Sequence, residues 1–171
     1  MISFVSALIM NMVINKIDNP EVNERRNFLE PIHNKNVHAY IPFYFNPRNA
    51  MLYKNKDIQD DLVILAFNKR LIYQNSSLFT DGNASVNGTR FFNNLNDLNQ
   101  IDWECLKSKY WNDLPDGKRK MMAEVLVPNK VSIDELENLY CNNYYTQKQA
   151  QQIIQNNFSN IKVEINKKIF F

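Results

Sequence analysis

The chain of 171 residues has only 3 glycines, 2 cysteines and 2 histidines. Its glycines stand apart in turn-like pairs, Asp81-Gly82, Asn87-Gly88 and Asp116-Gly117. Phosphate loops of the Walker or Rossmann kind need two or three glycines within a few residues, so both are excluded. Cys105 and Cys141 lie far apart, each without a second cysteine nearby, which excludes a zinc ribbon, a CxxC redox motif and a disulfide framework. Two reduced thiols suit a cytoplasmic protein. With His33 and His38 as the only histidines, no zinc or other metal site is expected. The apolar stretch Met1–Val13 is too short to span a bilayer. It also has neither the basic flank nor the small-residue cleavage site of a signal peptide, so no membrane association is expected. A balance of 20 Lys and Arg against 18 Asp and Glu leaves +2, which excludes a histone-like polycation but permits a local basic groove.

What is present points to a folded domain. A hydrophobic fraction of 44% and an aromatic fraction of 12% argue against disorder, and the length suits one domain, residues 1–171. Residues 1–13 read as an amphipathic helix or a strand packed on the core. The run 37–45 is dense in aromatic and β-branched residues and predicts a strand, with Pro42 placing it at an edge or a bulge. The unbroken apolar run 61–67 predicts a strand buried on both faces. Phe91, Leu95 and Leu98 fall at helical spacing within 84–98, and Trp103, Leu106 and Tyr110 mark a second short helix within 101–111. Thr146 and Gln149 form a capping box for a helix that buries Ala150, Ile153, Ile154 and Phe158, and a strand follows over 161–165. Strands and helices interleave without a regular βαβ period, so the fold class is α+β. The 27 asparagines carry no functional weight.

Two segments carry chemistry. In residues 38–53, HAYIPFYFNPRNAMLY, Arg48 follows a rigid proline beside an aromatic wall. It is either a solvated arginine at a strand end or a grip for phosphate or carboxylate. In residues 118–127, KRKMMAEVLV, Glu124 sits alone inside an apolar run directly after three cations. Burial of that carboxylate demands a partner, a salt bridge to Lys or Arg, or a job. Lys118, Arg119 and Lys120 read either as contacts to nucleic-acid phosphates or as the solvated basic start of a helix. Tyr44 and Phe45 are open to stacking on a base or to core packing.

These segments, with the FTDGNA turn at 79–84, IDW at 101–103 and WNDLP at 111–115, resemble in content and order the DarT family of bacterial DNA ADP-ribosyltransferase toxins. The likeness covers about residues 24–171. It implies an ADP-ribosyltransferase-like split β-sheet flanked by helices, with NAD⁺ as co-substrate in the cleft. It implies glycosyl transfer of ADP-ribose onto a base in single-stranded DNA, thymine in the better-known branch, with loss of nicotinamide. A macrodomain antitoxin of the DarG-like kind would be the partner. The family's key arginine and glutamate match Arg48 and Glu124, with Arg48 also contacting NAD⁺, and its substrate-reading loop maps onto about 83–124. Members of the family open with a strand bearing a tyrosine-histidine pair, whose histidine contacts NAD⁺. Residues 1–13 hold no histidine, and His38 matches a different position, so that strand is expected to be missing. Two other readings follow: a truncated, inactive DNA-binding remnant, or a transferase acting on protein or RNA.

Overall fold

The computed structural model describes residues 24–155, 158 and 160–171, and the backbone of residues 6–11. Eight strands form one sheet: β1 Ser6–Asn11, β2 Tyr40–Tyr44, β3 Leu62–Phe67, β4 Leu78–Thr80, β5 Phe91–Phe92, β6 Glu124–Pro128, β7 Leu136–Cys141 and β8 Lys162–Ile165. Their spatial order is β5-β4-β6-β2-β1-β3-β7-β8. Every pairing is antiparallel except β7 with β8. The sheet is split at its centre. β1 runs beside β3 over six residue pairs but meets β2 at Ala7↔Tyr44 alone. Short helices lie around it: α1 Ala50–Lys54, α2 Trp103–Lys107, α3 Gly117–Lys120 and the longer α4 Tyr144–Gln155.

The apolar run 61–67 behaves as its composition requires, since all six residues of β3 are buried between the layers. Its Val63, Leu65 and Phe67 join Phe43, Phe79, Val125 and Leu139 in the main core, while Leu62 and Ile64 face a smaller cluster with Leu52 and Phe170. Pro42 lies in the interior of the sheet order, yet locally on an edge. Its ladder with β6 runs through without a shift, and beside it β2 has no β1 partner except at Tyr44.

Several expectations are corrected. A strand does stand at the beginning of the chain, because Ser6–Asn11 fills the sheet between β2 and β3; residues 1–5 and 12–13 lie outside the described residues. The segment 84–98 is not a helix but a loop, the two-residue strand β5 and a 3₁₀ turn over Leu95–Gln100. Gly88 turns the chain with φ +86°, and the Asp81 carboxylate draws in the Arg90 N–H, so side-chain anchors override the helical spacing. Tyr110 is 74% exposed, because α2 ends at Lys107. The helix α4 is capped by Asn143, whose side chain accepts the Thr146 N–H, while the Thr146 hydroxyl binds the Asp60 carbonyl. Ala150 is buried there as expected, whereas Ile153 and Phe158 are exposed.

Candidate active site

Glu124 opens β6, directly across from Tyr44 on β2. Its residue is 0% exposed, and both carboxylate oxygens are held. Arg26 Nη1 donates to Oε2 at 2.9 Å and to Oε1 at 3.2 Å, and the Ala84 N–H donates to Oε1 at 3.0 Å. The Glu124 N–H donates to Thr80 Oγ1 at 3.1 Å, and that hydroxyl donates to the Gly82 carbonyl at 2.6 Å. Of the two readings of this carboxylate, the ion pair is real, but its partner is neither Lys118, Arg119 nor Lys120. It comes from 98 residues away.

Arg26 reaches this place because the chain from 24 to 40 is knotted around another buried carboxylate. Glu30 accepts the N–H groups of Ile32, His33 and Lys35 and the Tyr40 hydroxyl. Burial pushes the Glu30 carboxyl up, but those donors outweigh it and hold it below its ordinary value. The Val37 N–H then closes onto the Phe28 carbonyl, and Tyr40 leads into β2. Among the described residues the buried Arg26 Nη2 has no hydrogen-bond partner, a donor left over beside the carboxylate.

Tyr44 is half-buried next to this pair. Burial and the negative charge of Glu124 raise its phenol above the ordinary range, so it stays neutral and able to donate. Phe45 packs in the core, edge-on to Trp103 with centroids 5.5 Å apart, so of the two aromatics only Tyr44 lies at the site.

The segment 83–124 is tied at its base, since its two ends meet in the bond from Ala84 N–H to Glu124. Asp81 adds a second knot: it accepts Arg90 Nε at 2.9 Å and Arg119 Nη1 at 2.7 Å. Burial raises the Asp81 carboxyl, but the Arg90 backbone and these two guanidinium groups bring it below its ordinary value. Gly82 is required here, because a Cβ would stand 3.0 Å from the Arg119 carbonyl and closer still to its side chain. Of the basic triplet, Arg119 is thus committed to Asp81 and Asp116, and Lys120 to Asp102 at 2.9 Å. Lys118 is exposed. A groove of ≈ 440 Å³ is lined by Arg25, Phe28, Ala84, Ser85, Gly88 and Phe91 among others; it meets the buried carboxylate through Ala84, whose N–H Glu124 accepts.

Arg48 sits beyond the end of β2 in a turn fixed by two asparagines. The Asn46 side chain accepts the Arg48 N–H and donates to the Leu106 carbonyl, while Asn49 caps α1 through the Met51 and Leu52 N–H groups. Arg48 Nε donates to the Phe170 carbonyl at 3.0 Å, and its guanidinium lies 4.1 Å from the centroid of the Phe171 ring. Among the described residues it forms no ion pair. Arg26, the partner of Glu124, is the residue of this candidate site that sequence reasoning missed. Its only signal was the pair Arg25-Arg26 in an otherwise polar stretch.

The sheet is split and carries a buried, doubly held glutamate at the head of a central strand, and solved structures share this fold. The chain superposes on DarT from Thermus sp. 2.9 in complex with ADP-ribosylated single-stranded DNA with a TM-score of 0.84, at 24% identity, covering 97% of this chain and 88% of that one. It superposes on the same protein in complex with NAD⁺ with a TM-score of 0.78. The sequence model of the family described as "ssDNA thymidine ADP-ribosyltransferase, DarT" matches residues 6–171, and the chain belongs to that family. The match therefore includes β1 and reaches beyond the expected start near residue 24. A DNA ADP-ribosyl transferase of Thermus sp. (strain 2.9) is 34% identical over 100 residues, 53% of this chain and 48% of that protein. A DNA ADP-ribosyl transferase–DNA ADP-ribosyl glycohydrolase fusion protein of Thermosipho africanus is 30% identical over 143 residues, 81% of this chain and 36% of the fusion. The chain spans about half the length of the separate transferases it matches. Among the described residues no helix is long and apolar enough to cross a membrane, and no cluster of three or more His, Cys, Asp or Glu is placed to hold a metal ion.

Proposed function

We propose that this chain is an NAD-dependent transferase that moves ADP-ribose from NAD⁺ to a base of single-stranded DNA, thymine by the family's description, with release of nicotinamide. The observation that carries this reading is the buried Glu124 carboxylate, gripped by Arg26 and by the N–H of Ala84, a residue that lines the neighbouring groove. The residues suit a dinucleotide substrate. Among the described residues Arg48 has no carboxylate partner and so offers a cation for the pyrophosphate, and Arg26 Nη2 is a buried donor in want of an acceptor.

Departure of nicotinamide leaves positive charge on the ribose carbon. Glu124 supplies the opposing charge from a dry wall, where it acts strongly, and its remaining lone pairs orient the ribose hydroxyls. Arg26 and Ala84 fix the carboxylate so that no reorientation is needed during reaction. The Arg48 guanidinium is a donor without an acceptor lone pair, so it polarises the base rather than removing its proton, and the proton leaves to solvent as the new glycosidic bond forms. Lys118, which is exposed, is the cation of the triplet left for DNA phosphates in this reading, while Arg119 and Lys120 hold the segment that carries it. A macrodomain antitoxin with the DNA ADP-ribosyl glycohydrolase activity named in the Thermosipho fusion protein fits such a toxin, and the cytoplasm, where DNA is exposed, is its place of action.

The test is nicotinamide release from NAD⁺, followed by chromatography, with single-stranded DNA, duplex DNA, RNA or protein as acceptor. Release that depends on single-stranded DNA is expected. Release that needs RNA or protein instead would overturn the acceptor assignment.

A further inference from the structure

Arg48 is held in an unusual way, and the residues that hold it lie 122 and 123 positions further along the chain. Phe170 is buried in the small core with Leu52, Leu62 and Ile64, which fixes the carbonyl that accepts Arg48 Nε. Phe171 is clamped from both sides of its backbone. Its N–H donates to Gln59 Oε1 at 2.8 Å, and its backbone oxygen accepts Gln59 Nε2 at 2.6 Å. Its ring stands edge-on to Tyr53 with centroids 5.0 Å apart and carries the Arg48 guanidinium on its face.

We infer that Phe171, locked by Gln59, is a positioning residue for Arg48: it keeps the guanidinium pre-oriented toward the anionic part of the substrate. This rests on the transferase reading above. A guanidinium needs its long side chain immobilised before it can grip a pyrophosphate with two parallel hydrogen bonds. A carboxylate would immobilise it too, but would cancel the charge that the substrate must feel. A ring face and a carbonyl immobilise it without that loss. Nε is taken by Phe170, which leaves the outer Nη edge, the edge suited to two-point binding, for the ligand.

The experiment is steady-state transfer to a single-stranded oligonucleotide at varied NAD⁺, using the full chain and the variants Phe171→Leu, Phe171→Trp and Gln59→Ala, with thermal melts of each. Phe171→Leu keeps apolar bulk but loses the ring, and it is expected to raise KM for NAD⁺ about 10-fold, the scale of one well-placed cation–π contact. Phe171→Trp should restore KM, and Gln59→Ala, which touches no substrate, should shift it in the same direction by less. Unchanged KM in Phe171→Leu overturns the inference and leaves the transferase reading intact. So does an equal loss of kcat in the Leu and Trp variants with KM unmoved, which is the mark of a structural role alone. A wild-type chain that transfers nothing removes the transferase reading and this inference with it.

Discussion

Glu124 and Arg48, the two charged groups on which the proposed chemistry depends, are held by opposite means. Glu124 is wholly buried and held by charge: a guanidinium bridges both its oxygens and a backbone N–H takes one of them. Arg48 is half-exposed and held without charge, by a carbonyl and a ring face. A buried carboxylate without a counter-charge would be prohibitively costly, and Arg26 supplies that counter-charge. A half-exposed arginine needs no counter-charge to stay protonated, and its field remains available for a ligand. The contrast separates stability from activity. On the proposed chemistry Arg26 and Glu124 bear on both, whereas Arg48 bears on activity almost alone.

Substitutions can break that contrast. Glu124→Ala has the largest expected effect, a fall of about 10²–10³ or more in transfer rate, read from oligonucleotide adduct formed per minute. Arg26→Ala comes next. It leaves a buried carboxylate unpaired and is expected to cost about 3–5 kcal/mol of stability in a urea titration. The double change Arg26→Met with Glu124→Gln should recover much of that stability without recovering activity, and failure to recover would mean that the Arg26 contribution is not electrostatic. Arg48→Lys should leave the urea midpoint nearly unchanged while raising KM for NAD⁺ about 10-fold, because the ammonium keeps the charge but loses the planar fork. A large stability loss there would erase the distinction between the two groups.

Acid provides the mildest test. The Glu30 and Asp81 carboxyls lie below their ordinary values of 4.5 and 3.8 in the folded chain. Their contribution to stability is therefore fully present above about pH 5 and is lost as pH falls through and below those values. Melting temperature should be flat from about pH 7 to 5 and drop below that, with a shallower drop in Glu30→Gln. An unaltered slope in that variant would show that the knot carrying Arg26 does not depend on the Glu30 charge.

Much of this site could be read from the sequence where the determinants are local. The turn at Arg48 follows from Asn46, Pro47 and Asn49 within four residues, and Glu124 stands out as one charge in an apolar strand. The Arg26 grip could not be read, because it joins residues 98 apart through a loop folded around Glu30. The Phe171 platform was hidden for the same reason. The segment 84–98 misled because its helical spacing of Phe91, Leu95 and Leu98 competes with the Asp81–Arg90 knot and the Gly88 turn, and those anchors prevail. Its β1 was legible only as one of two options: Ser6–Asn11 has the apolar content of a strand, but the missing histidine argued for its absence, and the backbone pairing with β3 decides in favour of the strand.

The most direct test of the account is mass spectrometry of a mixed single-stranded oligonucleotide after incubation with NAD⁺ and the wild-type chain, beside the Glu124→Ala variant. The account requires an added ADP-ribose on a base with the wild type and none with the variant. An adduct formed equally well by Glu124→Ala would contradict it, because the carboxylate around which this site is built would then have no part in the transfer.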